Sequence, residues 1–138
     1  MELEQGQEEE RDSVLLTTSA LDVGAVSACV TMPGTGATSL FVGTTRDNFG
    51  GKRVLRLEYE AYEGMARREL SRLCGQLRHK WPGIARIALH HRLGRVDITQ
   101  ASVIVAVSAP HRRDALEVKH KTKNINAVFS IKGRRVCH

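Results

Sequence analysis

The chain is short of most things that staple or decorate a small protein. Three of its 138 residues are cysteine and three are proline, and aromatics make up 4%. Cys29, Cys74 and Cys137 are odd in number, far apart and form no CxxC. That argues against a disulfide framework and against a cysteine zinc site. Cys74 falls at an apolar helix position and reads as a small core residue. The aromatics are too few for a base-stacking platform of the kind that holds single-stranded nucleic acid. Tyr59, Tyr62 and Trp81 read as core or interface instead. No apolar run approaches the ~20 residues of a membrane span. The opening MELEQGQEEERD is acidic, with neither an apolar stretch nor an Arg-rich character, so no targeting segment is expected and the cytosol is the default compartment.

Acid is also scarce, but unevenly. Residues 1–12 hold six acids and one base, which leaves nine acids against twenty bases for the rest of the chain. After Glu117 no acid follows, while Lys119, Lys121, Lys123, Lys132, Arg134 and Arg135 do. A body this basic either presents a solvated cationic surface or meets an anionic partner: a nucleic acid, an acidic protein or a phosphorylated small molecule. A nucleic-acid-binding domain is the weakest of these readings, since no such motif is present.

What is there organises well. Residues 1–12 read as a disordered acidic tail. Ser13–Ser19 is a short strand, and Ser19–Thr31 a short helix with Ser19 as its cap. Ser39–Arg46 is a strand. Arg53–Tyr62 alternates, with Val54 followed by Leu55, Leu57, Tyr59 and Ala61 on one face and Arg56, Glu58 and Glu60 on the other. Gly50-Gly51 between these two strands predicts a hairpin. Over Gly64–Trp81, Met65, Leu70, Leu73, Cys74, Leu77 and Trp81 recur with helical period, and Pro82-Gly83 stops the helix. Ile84–Gly94 and Ala101–Ala109 are further strands, the second apolar almost throughout and so expected to be central and buried on both faces. Beyond Val118 periodicity fades, and Asn124–Gly133 fits a short strand or a turn of helix.

The chemistry concentrates where the apolar strand ends. Ser108-Ala109-Pro110 leads into His111, Arg112 and Arg113, with Pro110 placed as the first turn of a helix and Ser108 or Ala109 as its cap. Cations at a helix start oppose its dipole, so an anion is the natural complement. Arginine grips such anions with paired hydrogen bonds. The alternative is that these side chains are merely solvated. Arg46, at the end of its strand beside the Gly-Gly loop, is the second candidate. His90 and His91 are neighbours on a strand and point to opposite faces, which argues against a shared metal.

Three segments, SLFVGTTRDNFGGKRVLRLEYEAYEGMA, KWPGIARIALHHRLGRV and ASVIVAVSAPHRRDALE, resemble in order and spacing the large catalytic subunit of molybdopterin synthase, closest to its animal form. The resemblance covers Ser39 to about Glu117. It implies an α+β fold of α/β-hammerhead type, with an antiparallel sheet and one long amphipathic helix. It implies a domain over residues 13–118 and a divergent segment over 119–138. It implies a homodimer carrying a small ubiquitin-like sulfur-carrier subunit at each end, a heterotetramer in all. The carrier's thiocarboxylated tail would enter a pocket, and two sulfurs would pass to cyclic pyranopterin monophosphate to give molybdopterin. No cofactor and no metal are called for. Carried over by position, Arg46 and Arg112 bind the substrate's anionic groups, and His111 binds substrate and moves a proton, with His111 and Arg46 in the catalytic set. All three are expected around one phosphate-sized hollow, within a chain or across two copies.

The pattern departs downstream. The resemblance implies an essential lysine sixteen residues after His111, a following proline and tryptophan, and a second lysine seven residues after the first. Ala127 and Arg134 stand there, and no such run exists in the chain. The ending reads like that of a splice variant or a shifted frame. Little turnover is therefore expected, and a non-catalytic dimerising or carrier-binding variant is the alternative.

Overall fold

The computed structural model describes residues 12–122 and 131–138. In chain order the elements are β1 (Asp12–Thr17), α1 (Val23–Val30), β2 (Ala37–Thr44), β3 (Asn48–Phe49), β4 (Lys52–Ala61) and α2 (Glu63–Lys80). There follow β5 (Arg86–Arg92), β6 (Gly94–Asp97), β7 (Ala101–Ala109), α3 (Arg112–Thr122) and β8 (Ile131–Cys137). The segment read as an acidic tail lies outside the described residues but for Asp12, which is the first residue of β1. No helix among the described residues is long and apolar enough to cross a membrane.

One sheet runs β1-β5-β7-β2, and a second runs β3-β4-β6 with β8 paired to β4. The fold is α+β as expected, and its pairings are antiparallel except β1 with β5, which is parallel. The apolar run Val103–Val107 explains why β7 is interior. Val103, Val105 and Val107 face α2 with Leu70, Cys74, Leu77, Ile87 and Leu89. The alternate residues Ile104 and Ala106 face α1 with Val26, Val30 and Ala88. Period two puts both sets in apolar surroundings, so the strand is covered on both sides.

Three local expectations are corrected. The cap of α1 is Asp22, whose Oδ1 accepts from the Ala25 amide at 3.1 Å, rather than Ser19, whose own amide donates to Thr17 Oγ1. On α2 the buried stripe is Ala66, Leu70, Cys74 and Leu77, while Met65 is half exposed. One residue turns the helix by about 100°, and the stripe spaced by four and three residues passes through 66, not 65. Finally, β2 pairs with β7, so no hairpin joins it to β4; the Gly-Gly turn instead connects β4 to the two-residue β3.

Candidate functional site

A helix and a sheet end build the first cationic cluster. α3 starts at Arg112, so Pro110 lies two residues ahead of it and not in its first turn, and Ser108 and Ala109, expected as its cap, belong to β7. His111, Arg112 and Arg113 are all exposed. The turn beneath them is held from the side: the Gly36 amide donates to the carbonyls of Ala109 and Pro110 at 3.1 and 3.2 Å. A Cβ on Gly36 would lie 2.6 Å from the Pro110 oxygen, so only glycine allows this approach. On the helix, Ser39 Oγ donates to the Ala115 carbonyl at 2.6 Å, and Trp81 Nε1 donates to Glu117 at 2.8 Å. The Trp81 and Arg113 hydrogen bonds hold the Glu117 carboxyl below its usual range.

The second cluster surrounds Arg46. The β2–β7 register shifts between Gly43 and Thr44, a bulge that re-aims the chain just before Arg46. Thr45 is buried, with its amide on the Gln100 carbonyl and its carbonyl accepting from Thr99. Thr99 has φ +72°, a left-handed conformation that costs a β-branched residue about 1–3 kcal/mol. Arg46 Nε donates to the Asn48 carbonyl at 3.0 Å. Here opens a cavity of about 690 Å³, lined by Thr45, Arg46, Phe49, Tyr59, Thr99 and Arg135 among others. Tyr59 is braced from behind by buried His91, edge to face at 4.8 Å.

The β4 wall is not the simple alternation that the sequence predicts. Val54 is 2% exposed and Leu55 36%, and the β4–β8 register shifts between Val54 and Arg56. This irregularity keeps Val54 on the cavity face with Leu57 and Tyr59. β8, paired beside β4, extends this wall with Ile131, Gly133 and Arg135, every second residue. Of the short strand or helical turn expected over Asn124–Gly133, residues 124–130 lie outside the described residues and 131–133 open β8. The extension of β8 to Cys137 and its pairing with β4 were not foreseen, nor was Thr99, because such pairing is carried by backbone groups that leave no side-chain signature.

The expected common hollow is not formed within one chain. Ala37 pairs with Ala109 and Thr44 with Ala101, so Arg46 and His111 leave opposite ends of one antiparallel ladder. At about 3.3 Å of rise per residue they stand roughly 25 Å apart. His111 and Arg112 are neighbours; Arg46 is elsewhere. His90 and His91 diverge as expected: His90 bonds Ser13 Oγ at 2.8 Å, and His91 Nδ1 meets the Arg92 carbonyl at 2.7 Å. Position 127 lies outside the described residues. Arg134, at the second lysine position, is tied to Glu58 at 2.6 Å. The Glu58 carboxyl is held below its usual range by Arg56 and by Arg134.

The described residues thus carry one cationic cluster at a cavity and another at a helix start, at opposite ends of the β2–β7 ladder. Residues 16–123 match the family model described as MoaE protein. The molybdopterin synthase catalytic subunit of Taeniopygia guttata is 52% identical over 115 residues, 83% of this chain and 74% of that one. Catalytic subunit 1 of Aedes aegypti is 53% identical over 105 residues, 76% and 68%. The crystal structure of molybdopterin synthase from Staphylococcus aureus superposes with a TM-score of 0.82 at 27% identity, covering 89% of this chain and 90% of that one. A complex of subunits 1 and 2 of molybdopterin-converting factor from Helicobacter pylori shares the fold, with a TM-score of 0.69 at 22% identity, covering 92% and 85%. The chain belongs to the MoaE family, the catalytic subunits of molybdopterin synthase in molybdenum cofactor biosynthesis. The matched span stops ahead of β8.

Proposed function

We propose that the chain binds cyclic pyranopterin monophosphate between two copies of itself. The Arg46 cavity of one copy faces His111 and Arg112 of the other, and a small sulfur-carrier subunit with a thiocarboxylated tail delivers the sulfur. The observation that carries this reading is the separation of the two cationic clusters along one ladder. Each cluster is half of an anion site, and a symmetric pair of chains can bring unlike halves together twice. In this arrangement Arg46 and Arg112 hold the substrate's anionic groups through charge-assisted hydrogen bonds. His111 holds or moves a proton at the reacting centre. The chain's basic body attracts an acidic carrier. Turnover is low in this form, because Ala127 supplies no cation or nucleophile and Arg134 is engaged by Glu58.

The test is a mixing experiment on substrate binding. Arg46→Ala and Arg112→Ala chains each lose binding alone. Mixed in equal amounts and allowed to exchange, they regain about a quarter of the sites, because half the dimers pair the two variants and each such dimer has one intact site. No recovery, in a mixture shown by light scattering to be dimeric, would refute the composite site. Molybdopterin formation at a normal rate with thiocarboxylated carrier would refute the low turnover.

A further inference from the structure

We infer that Arg135, on the C-terminal strand β8, is the second guanidinium of the Arg46 cavity and grips the phosphate group of the bound substrate jointly with Arg46. The inference rests on the reading of that cavity as the substrate's anion site. Neither the family match, which ends at residue 123, nor the motifs around Arg46 and His111 point to this residue.

The argument begins with strand alternation. β8 runs antiparallel to β4, with Arg135 opposite Leu57 and Arg134 opposite Glu58. Successive side chains face opposite ways. Arg134 therefore turns away from the cavity, and its guanidinium ends on the Glu58 carboxylate. Arg135 turns toward it, together with Ile131 and Gly133. The strand thus carries two adjacent arginines with unlike fates. One is neutralised by a partner; the other faces a cavity that already holds a guanidinium.

The second observation is that Arg135 is held in place without losing its charge. Its guanidinium lies 3.5 Å above the Phe49 ring centroid. An aromatic face restrains a guanidinium and leaves its N–H edge available to an oxyanion. Arg46 is steered in a parallel way, its Nε donating to the Asn48 carbonyl one residue from Phe49. Asn48 and Phe49 are the two residues of β3, so one short strand positions both cations. Close approach of β8 is secured by Gly133, where a Cβ would lie 2.7 Å from the Tyr59 ring. Two guanidiniums at the rim of one cavity repel each other when it is empty and share an anion when it is filled, which suits a phosphate better than a neutral ligand.

The test compares three variants for binding of cyclic pyranopterin monophosphate by calorimetry, using the full chain. Arg135→Met keeps the aliphatic stem over Phe49 and removes the charge. It is expected to weaken binding about ten-fold or more, as loss of a charge-assisted hydrogen bond does. Arg46→Ala is expected to do the same, and Arg134→Met to change binding less than about two-fold, since its charge is directed at Glu58. Should Arg46→Ala weaken binding while Arg135→Met does not, the role of Arg135 is overturned and the cavity reading survives. Should neither matter, the cavity reading itself falls. Equal losses from Arg135→Met and Arg134→Met would mean that β8 acts through its docking and not through this guanidinium, which also overturns the inference. If Arg135→Met fails to unfold cooperatively, the unmodified chain decides. On ligand titration the arginine Nε–H resonances of Arg46 and Arg135 must shift while that of Arg134 stays; an unmoved Arg135 signal refutes the assignment.

Discussion

Replacing Arg78 by methionine should destabilise the chain more than any other exchange of a charged side chain on α2. Arg78 is the junction of three segments. Its Nε and Nη2 donate to the Asp12 carboxylate at 2.6 to 3.1 Å, Nη1 donates to the Ile84 carbonyl at 3.2 Å, and Nη2 donates to the Ala85 carbonyl at 3.0 Å. It therefore ties α2 to the first residue of β1 and to the approach to β5, two strands that pair in parallel without any local turn to align them. The pair is partly shielded, with side-chain exposures of 19% for Arg78 and 29% for Asp12. Methionine keeps most of the stem's packing but leaves a carboxylate and two carbonyls to find water. At about 1 kcal/mol per lost bond, discounted for the rehydration that partial exposure permits, the loss is roughly 2–3 kcal/mol. For a domain of this size that lowers Tm by roughly 6–12 °C. Circular dichroism melts of Arg78→Met, Asp12→Asn and the double variant measure it. Because Arg78 also serves two carbonyls, Asp12→Asn should cost less than Arg78→Met, and the double variant should cost about as much as Arg78→Met alone. Arg78→Lys should recover little, since a single ammonium cannot reach all three acceptors. A fall of less than about 2 °C for Arg78→Met would refute the idea that this junction holds β1 in place.

Two further outcomes follow from ionisable groups away from the cavity. Burial pushes the Cys74 thiol up to about 12 and raises that of Cys29 more modestly, while Cys137 is exposed on β8. Iodoacetamide at pH about 8 should alkylate Cys137 first, Cys29 more slowly, and Cys74 only on unfolding; mass spectrometry that finds Cys74 labelled alongside Cys137 would contradict the packing of α2. Burial also pushes His90 below its ordinary value of 6.5. The unfolded chain then takes up that proton more readily than the folded one. The stabilising contribution is whole above about pH 6.5 and is lost as the pH falls below it. His90→Gln, which can still bond Ser13, should flatten the pH dependence of urea unfolding between about pH 7 and 5; an unchanged slope would mean that His90 is not the group responsible.

How far the residues could be read depended on how far each signal reached along the chain. The apolar run in β7 announced a strand covered on both faces, because period two places Val103, Val105 and Val107 against one helix and Ile104 and Ala106 against another. The amphipathic stripe of α2 was legible to within one residue, Ala66 taking the place assigned to Met65. The motifs carrying Arg46, His111 and Arg112 were recognisable as motifs. Their distance from one another was not, since β2 pairs with β7, some sixty residues further along the chain, and not with β4 just beyond the Gly-Gly turn, a choice made by long-range burial and not by any local motif.

The amino-acid order by itself determined the types of the longer elements up to β7, the buried strand, the basic character of the body and the family, because these rest on periodicity and on local motifs. Only the tertiary structure decided that the two cationic clusters part company, that β8 walls the Arg46 cavity, and that of two adjacent arginines Arg134 is neutralised while Arg135 faces inward. Those outcomes come from backbone pairing between residues far apart in the chain, where one step of register exchanges the faces of every side chain on a strand.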